Sequence, residues 1–227
     1  MIVFLQGILD SGGLLGDDPE NLTTSLQLVF LLTVLSLAPA ILILMTSFTR
    51  IVIVLSFVRM GLATQQMPPT QVLISLALFM TFFIMAPVFG EVNEQSITPL
   101  LDGELNQEEA FNEAATPMKE FMSEHTREKD LSLFMGYAGM ERPETLDDIP
   151  LTALVPAFAI SELKTAFQIG FLIFVPFLVI DMIVASVLMS MGMMMLPPVM
   201  ISLPFKILLF VLVDGWYLIV ESLLISY

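Results

Sequence analysis

Met189-Ser-Met-Gly-Met-Met-Met-Leu-Pro-Pro-Val-Met-Ile-Ser-Leu-Pro204 separates two long apolar segments, each with a lone interior charge, Asp181 before it and Lys206 after it. Pro197, Pro198 and Pro204 each lack an amide donor and crowd the preceding turn, so an uninterrupted helix is not expected here. Gly192 loosens the backbone ahead of Met193, Met194 and Met195. Three consecutive residues cannot share one face of a helix. The stretch reads as a flexible, sulfur-lined constriction or re-entrant loop where a membrane protein normally keeps regular helix. Broken backbone at that depth is tolerated only when buried in protein or lining a cavity, which makes this loop a candidate functional element.

The rest of the chain supports a membrane setting. Of its 227 residues 56% are hydrophobic and 14% charged, with a mean hydropathy of +0.88. Soluble domains carry roughly 25% charged residues. There is no cysteine, which removes disulfides and thiolate metal sites. The net charge of −15 is concentrated: fifteen of the twenty-three acids lie between Glu91 and Asp148, against four basic residues. No basic stripe exists to neutralise phosphates, so nucleic acid is not an expected partner. The first ten residues lack a basic flank and do not read as an intact secretory signal.

No charge occurs between Glu20 and Arg50, or between Arg59 and Glu91. Each interval exceeds the ~20 residues that cross a hydrocarbon core. After an N-terminal segment, 1–21, residues 22–92 read as a first apolar helical hairpin. Asn21-Leu-Thr-Thr-Ser25 caps its start, Pro39 kinks it and Met67-Pro-Pro69 forms its turn. Residues 93–150 form an acidic insert. Phe111, Ala114, Ala115, Met118, Phe121 and Met122 recur at helical spacing in it, and Asn106 with Glu109 resembles a capping box. Pro117 weakens that helix's middle. A second short helix is expected from Thr126, with Leu131, Phe134 and Met135 on one face and Gly136 and Gly139 ending it. Residues 151–227 read as a second hairpin, with interruptions near Gly170 and Pro176 and a last helix from about Leu203. The fold class is all-α: membrane-associated helical hairpins with an amphipathic helical insert. Arg50 and Arg59 flank one side of the first hairpin, which places the insert and both termini outside.

Signatures of catalysis are missing: no Walker-type loop, no GxSxG, no HExxH. The single histidine, His125, lies in the acidic insert and reads as a solvated surface residue. No catalytic, cofactor or metal site is expected. The interior charges Glu162, Lys164, Asp181, Lys206 and Asp214 carry more, because a charge at bilayer depth normally faces a partner, a cavity or a subunit interface. The sequence midpoint of Asp181 and Lys206 falls between Met193 and Met194. A turn there sets the two charges at equal depth, able to pair; a turn at Pro197-Pro198 offsets them by about 12 Å of helix, and pairing would then run between subunits or through another segment. A structural ion pair competes with a proton relay. For the three methionines a deformable apolar collar that closes a pore by dewetting competes with ordinary packing.

Pro156-Ala-Phe-Ala-Ile-Ser-Glu-Leu-Lys-Thr-Ala-Phe-Gln-Ile-Gly170, Pro176-Phe-Leu-Val-Ile-Asp181, Ala185-Ser-Val-Leu-Met-Ser-Met-Gly-Met-Met-Met195, and Ile201-Ser-Leu-Pro-Phe-Lys206 with Asp214-Gly-Trp216 form a set of long motifs. In these the chain resembles the FliP family of flagellar type III export-gate proteins. Arg50 through Arg59, Gln66-Met-Pro-Pro69, Phe121-Met122 and Thr126-Arg-Glu-Lys-Asp-Leu131 fit as well, while the first twenty residues and 94–116 carry no family motif. The resemblance implies a homopentamer that joins FliQ-like and FliR-like subunits around a central channel. It also implies contact with FlhB-like and FlhA-like export proteins and passage of unfolded flagellar polypeptides. It places the assembly in the bacterial inner membrane and flagellar basal body, largely at the periplasmic face. On this chain it implies a pore gasket at Met193, Met194 and Met195. It further implies inter-subunit roles for Arg127, Glu162, Asp181 and Lys206, and insert packing by Phe121 and Phe134.

A gated export-channel subunit is thus the leading expectation, with a non-conducting scaffold for basal-body assembly as its rival. A small-solute transporter would show broken helices in both halves; here only the second half carries a Met/Pro break.

Overall fold

The computed structural model describes residues 32–33, 36–64, 66–140, 143, 145–146, 148–193 and 195–227. The expected N-terminal segment and the cap at Asn21–Ser25 lie outside them. The chain divides into two units, one ending at Leu42 and one beginning at Ile43. In the first, residues 36–42 are helical, through Pro39, and largely exposed.

The second unit is built of helices: α1 (Phe48–Gly61), α2 (Thr70–Leu101), α3 (Gln107–Glu124), α4 (Glu128–Tyr137), α5 (Leu151–Ser190), α6 (Pro198–Leu212) and α7 (Gly215–Ile225). Among the described residues all regular structure is helical, as the composition and periodicity predict. A turn at Thr46 and Ser47 precedes α1, so the apolar run ahead of Met67 is not one helix. Arg59 closes the α1–α2 turn by donating from Nη1 to Thr70 Oγ1 at 2.9 Å. Within α2, Asn93–Ile97 widens into π-helix; there Ser96 is buried and donates to the Ala110 carbonyl of α3 at 2.6 Å.

α1 and α5 form the centre. Ile51, Val54, Leu55 and Val58 recur every three to four residues on one buried stripe of α1. Facing them, Ala166 and Phe177 of α5 join Leu73, Ala77 and Met80 of α2, Phe210 of α6, and Ile219 and Leu223 of α7 in one core. Two aromatic-glycine contacts lock the pair. A Cβ on Gly170 would lie 2.5 Å from the Phe57 ring, and one on Gly61 would lie 2.6 Å from the Phe177 ring. Arg50 meets Glu162, Phe57 meets Gly170 and Gly61 meets Phe177, so the two helices run parallel. A second core joins Met85, Phe121, Met122, Ile149, Leu154 and Phe158 beneath the insert.

Several local expectations change. α5 is continuous for 40 residues through Pro156, Gly170 and Pro176. Gly170 breaks nothing, because its missing side chain admits the Phe57 ring. Pro156 is half-buried and Pro176 exposed, and the helix passes through both, as apolar helices tolerate proline. α3 likewise runs through Pro117, which is buried. α6 starts at Pro198 rather than near Leu203, since proline is well suited to a first helical position where no amide donor is needed. Pro204 therefore lies inside α6 and is not a loop break. The capping box at Asn106 and Glu109 is present as expected. α4 starts at Glu128, two residues later than expected, and ends at Tyr137, with Gly139 at φ +67 just beyond it.

Among the described residues two helices, α2 and α5, are long and apolar enough to cross a membrane, and the bent pair α6–α7 passes the same test jointly, with a 62° bend. Only 11% of the most apolar window of α5 is buried, so most of it awaits lipid or protein.

The Gly170 contact gives a clear prediction. Gly170→Val drives two methyls into the Phe57 ring and should cost about 2 kcal/mol or more through overpacking, whereas Gly136→Ala meets open space. Thermal unfolding of the two purified variants should rank them in that order; equal stability would show that α1 and α5 are not this close.

Candidate functional site

The methionine stretch is a turn at the tip of the α5–α6 hairpin. α5 ends at Ser190 and is followed by Met191 and Gly192, whose φ of +75 is disfavoured for residues with a Cβ. Gly192 N–H donates to Met189 O and Met193 N–H to Leu188 O, both at 3.0 Å, the paired bonds that close a helix C-terminus at glycine. Gly192 thus fixes the end of the helix rather than loosening it. Pro197 then caps α6 in extended conformation and Pro198 opens it. Between these stops Met193 is 43% and Met195 98% exposed. Met194 lies outside the described residues.

The turn sets the register of two charges. Lys206 Nζ donates to Asp181 Oδ2 at 2.6 Å, and Ser202 Oγ donates to Asp181 Oδ1. Asp181 precedes the end of α5 by about the distance that Lys206 follows the start of α6, so a turn centred on the methionines brings them level. The Lys206 side chain is 2% exposed and that of Asp181 29%. The pair closes within one chain.

A second charge cluster lies at the other end of α5. Glu162 is fully buried and receives the Arg50 guanidinium as a fork, Nε donating to Oε2 at 3.0 Å and Nη2 to Oε1. Arg50 Nη1 also donates to the Ser226 carbonyl at 2.7 Å, and its guanidinium carbon sits 3.9 Å from the centroid of the Tyr227 ring. The Tyr227 hydroxyl donates to Glu162 Oε2. Arg50 is 3% exposed, so it is an interior counter-ion and not a charge flanking a membrane span. Sequence reasoning missed this pair because 112 residues separate its members. The available signal was a lone cation ending an uncharged run and a lone acid inside apolar helix.

The insert docks beside this cluster. Ser161 of α5 accepts the Arg127 amide at 3.1 Å and donates to Asp130 Oδ2 at 2.6 Å. A serine from another helix thereby supplies the cap of α4, which lacks a capping side chain of its own. Arg127 also pairs with Asp130 at 2.5 Å. The Ser161 hydrogen bond holds the Asp130 carboxyl below its usual range; desolvation opposes this, and the charges of Arg127 and Lys164 reinforce it. Phe121 is buried, Phe134 half-buried. His125 is not a solvated surface residue: its ring lies 4.8 Å from Phe121 and 4.9 Å from Tyr227. Lys164 is exposed on the outward face of α5, and Asp214 is exposed at the α6–α7 bend, where its φ of 51 marks the break.

Two outcomes follow. Asp181→Lys or Lys206→Asp alone should cost about 3 kcal/mol, the scale for leaving a charge unpaired at the buried Lys206 position. The double exchange should recover most of it in denaturant melts; no recovery would mean the pair is not direct. The Asp130 contribution has a depressed folded pKa, so it is complete above the unfolded value of 3.8 and disappears as pH falls through the lower folded one. Proteolysis of the α4 region should accelerate below about pH 4, and Asp130→Asn should abolish that pH step.

Comparison with known proteins agrees with these features. The FliP family model matches residues 31–223. A flagellar biosynthetic protein FliP of Bacillus subtilis (strain 168) is 73% identical over 92% of this chain and 95% of its own length. The protein of that name from Aquifex aeolicus is 49% identical over 91% of this chain and 87% of its own. That of Cereibacter sphaeroides is 54% identical over 89% and 67%. With the match covering α1 through most of α7 and including the Arg50–Glu162 and Asp181–Lys206 pairs and the methionine turn, the chain belongs to the FliP family.

Proposed function

We propose that this chain acts in flagellar biosynthesis as a membrane component of the export apparatus, and more narrowly as a core subunit of the type III export gate. The observation that carries the narrower reading is the methionine turn. Exposed, unbranched thioether side chains of Met193 and Met195 project from the tip of a hairpin whose two helices are held in register by the Asp181–Lys206 pair. Met adapts to irregular surfaces, and an apolar ring at a constriction blocks ions by dewetting. One turn cannot close a pore; several copies arranged around an axis can. The gasket is therefore a property of an assembly, here a homopentamer with FliQ-like and FliR-like subunits. FlhB-like and FlhA-like proteins would adjoin it, and unfolded flagellar polypeptides would be its cargo.

On this reading the acidic insert, 93–150, faces the periplasm and the hairpins assemble largely at that face of the inner membrane. The outward apolar surface of α5 supports assembly, since such a face requires cover. It equally supports the second reading, a scaffold that nucleates the basal body without conducting.

Replacing Met193, Met194 and Met195 together with alanine separates the two. A gasket predicts ion leak in cells expressing the variant complex, with complex recovery on native gels unchanged. Unchanged ion conductance with poor recovery of the complex would favour the scaffold.

A further inference from the structure

Tyr227 contacts three elements at once. Its ring carries the Arg50 guanidinium of α1 at 3.9 Å and stacks on Phe121 of α3 at 6.0 Å with planes 14° apart. His125, just beyond α3, approaches the same ring at 4.9 Å. Its hydroxyl donates to Glu162 of α5. Phe121 in turn packs on Phe158 of α5, with centroids 6.0 Å apart. The insert and the buried ion pair therefore share one side chain.

We propose that Tyr227 is a positioning residue that couples the seating of the insert helix α3 to the buried Arg50–Glu162 pair, so that the two open and close together. The physical reason is mutual shielding. When Phe121 and His125 withdraw, the Tyr227 ring loses its stacking partners and the guanidinium beneath it gains access to water. When Tyr227 leaves, Glu162 loses a charge-assisted donor and Phe121 loses the surface on which it stacks. Coupling of this kind is reciprocal. A change at the insert is thus transmitted to the junction of α1 and α5.

Hydrogen–deuterium exchange on the full-length chain in its purified membrane complex tests this. Tyr227→Leu should speed exchange across Pro117–Arg127 about tenfold, the scale of one lost interior hydrogen bond or stack. Tyr227→Phe keeps the ring and removes only the donor to Glu162, so it should leave the insert near wild type while loosening the α5 turn around Glu162. Trp216→Leu disturbs α7 against Phe210 and should leave the insert unchanged. In the reverse direction Phe121→Leu should speed exchange in the last turn of α7. Unchanged insert exchange in Tyr227→Leu overturns the proposal, as does an equal acceleration in Trp216→Leu. Should Tyr227→Leu fail to accumulate, an unaltered α7 in Phe121→Leu overturns it alone.

Discussion

Everything in the helical unit is referred to the fork between Arg50 and Glu162. Two charges removed from water are costly, and a bare pair in a dry interior recovers that cost only when its remaining donors and acceptors are met. Here they are met by the Ser226 carbonyl, the Tyr227 hydroxyl and the Tyr227 ring. What such a pair supplies is an address. In any other register of α1 on α5, Glu162 or Arg50 would be buried without its counter-ion, a penalty larger than that of any misplaced methyl group nearby.

From that address the packing follows. Parallel alignment carries Phe57 onto Gly170 and Phe177 onto Gly61, contacts that a side chain on either glycine would block. The remainder of α5 beyond Phe177 extends with α6 as a two-helix arm held by the Asp181–Lys206 pair and capped by the Gly192 turn. At the opposite end, Ser161, next to Glu162 in sequence, caps α4. One turn of α5 thus anchors the core with one residue and the insert with its neighbour.

Much of this was legible from residue order. Lone charges in apolar helix, the proline-rich turns and the Asn106–Glu109 cap are short-range signals whose physics is local. The alignment of Asp181 with Lys206 was readable as one of two alternatives, since it depended only on where the turn lay. The buried role of Arg50, the capping by Ser161 and the ring environment of His125 were not legible, because each depends on partners 34 to 112 residues away or on Tyr227. Gly170, Pro176 and Pro204 misled for a related reason. In isolation glycine and proline weaken a helix; here Gly170 makes room for the Phe57 ring, and Pro176 and Pro204 each cost one backbone bond within helices that continue on both sides.

The unbroken length of α5 has a consequence for what must surround it. Forty residues of helix measure about 60 Å, twice the ~30 Å of hydrocarbon in a bilayer. Phe167, Phe171 and Leu172 near its middle and Met182, Ile183 and Val187 near its end are all exposed. A rod of that length standing along the membrane normal carries its apolar surface well beyond the hydrocarbon. Such a surface requires cover along its whole length, part of it from lipid and the rest from protein.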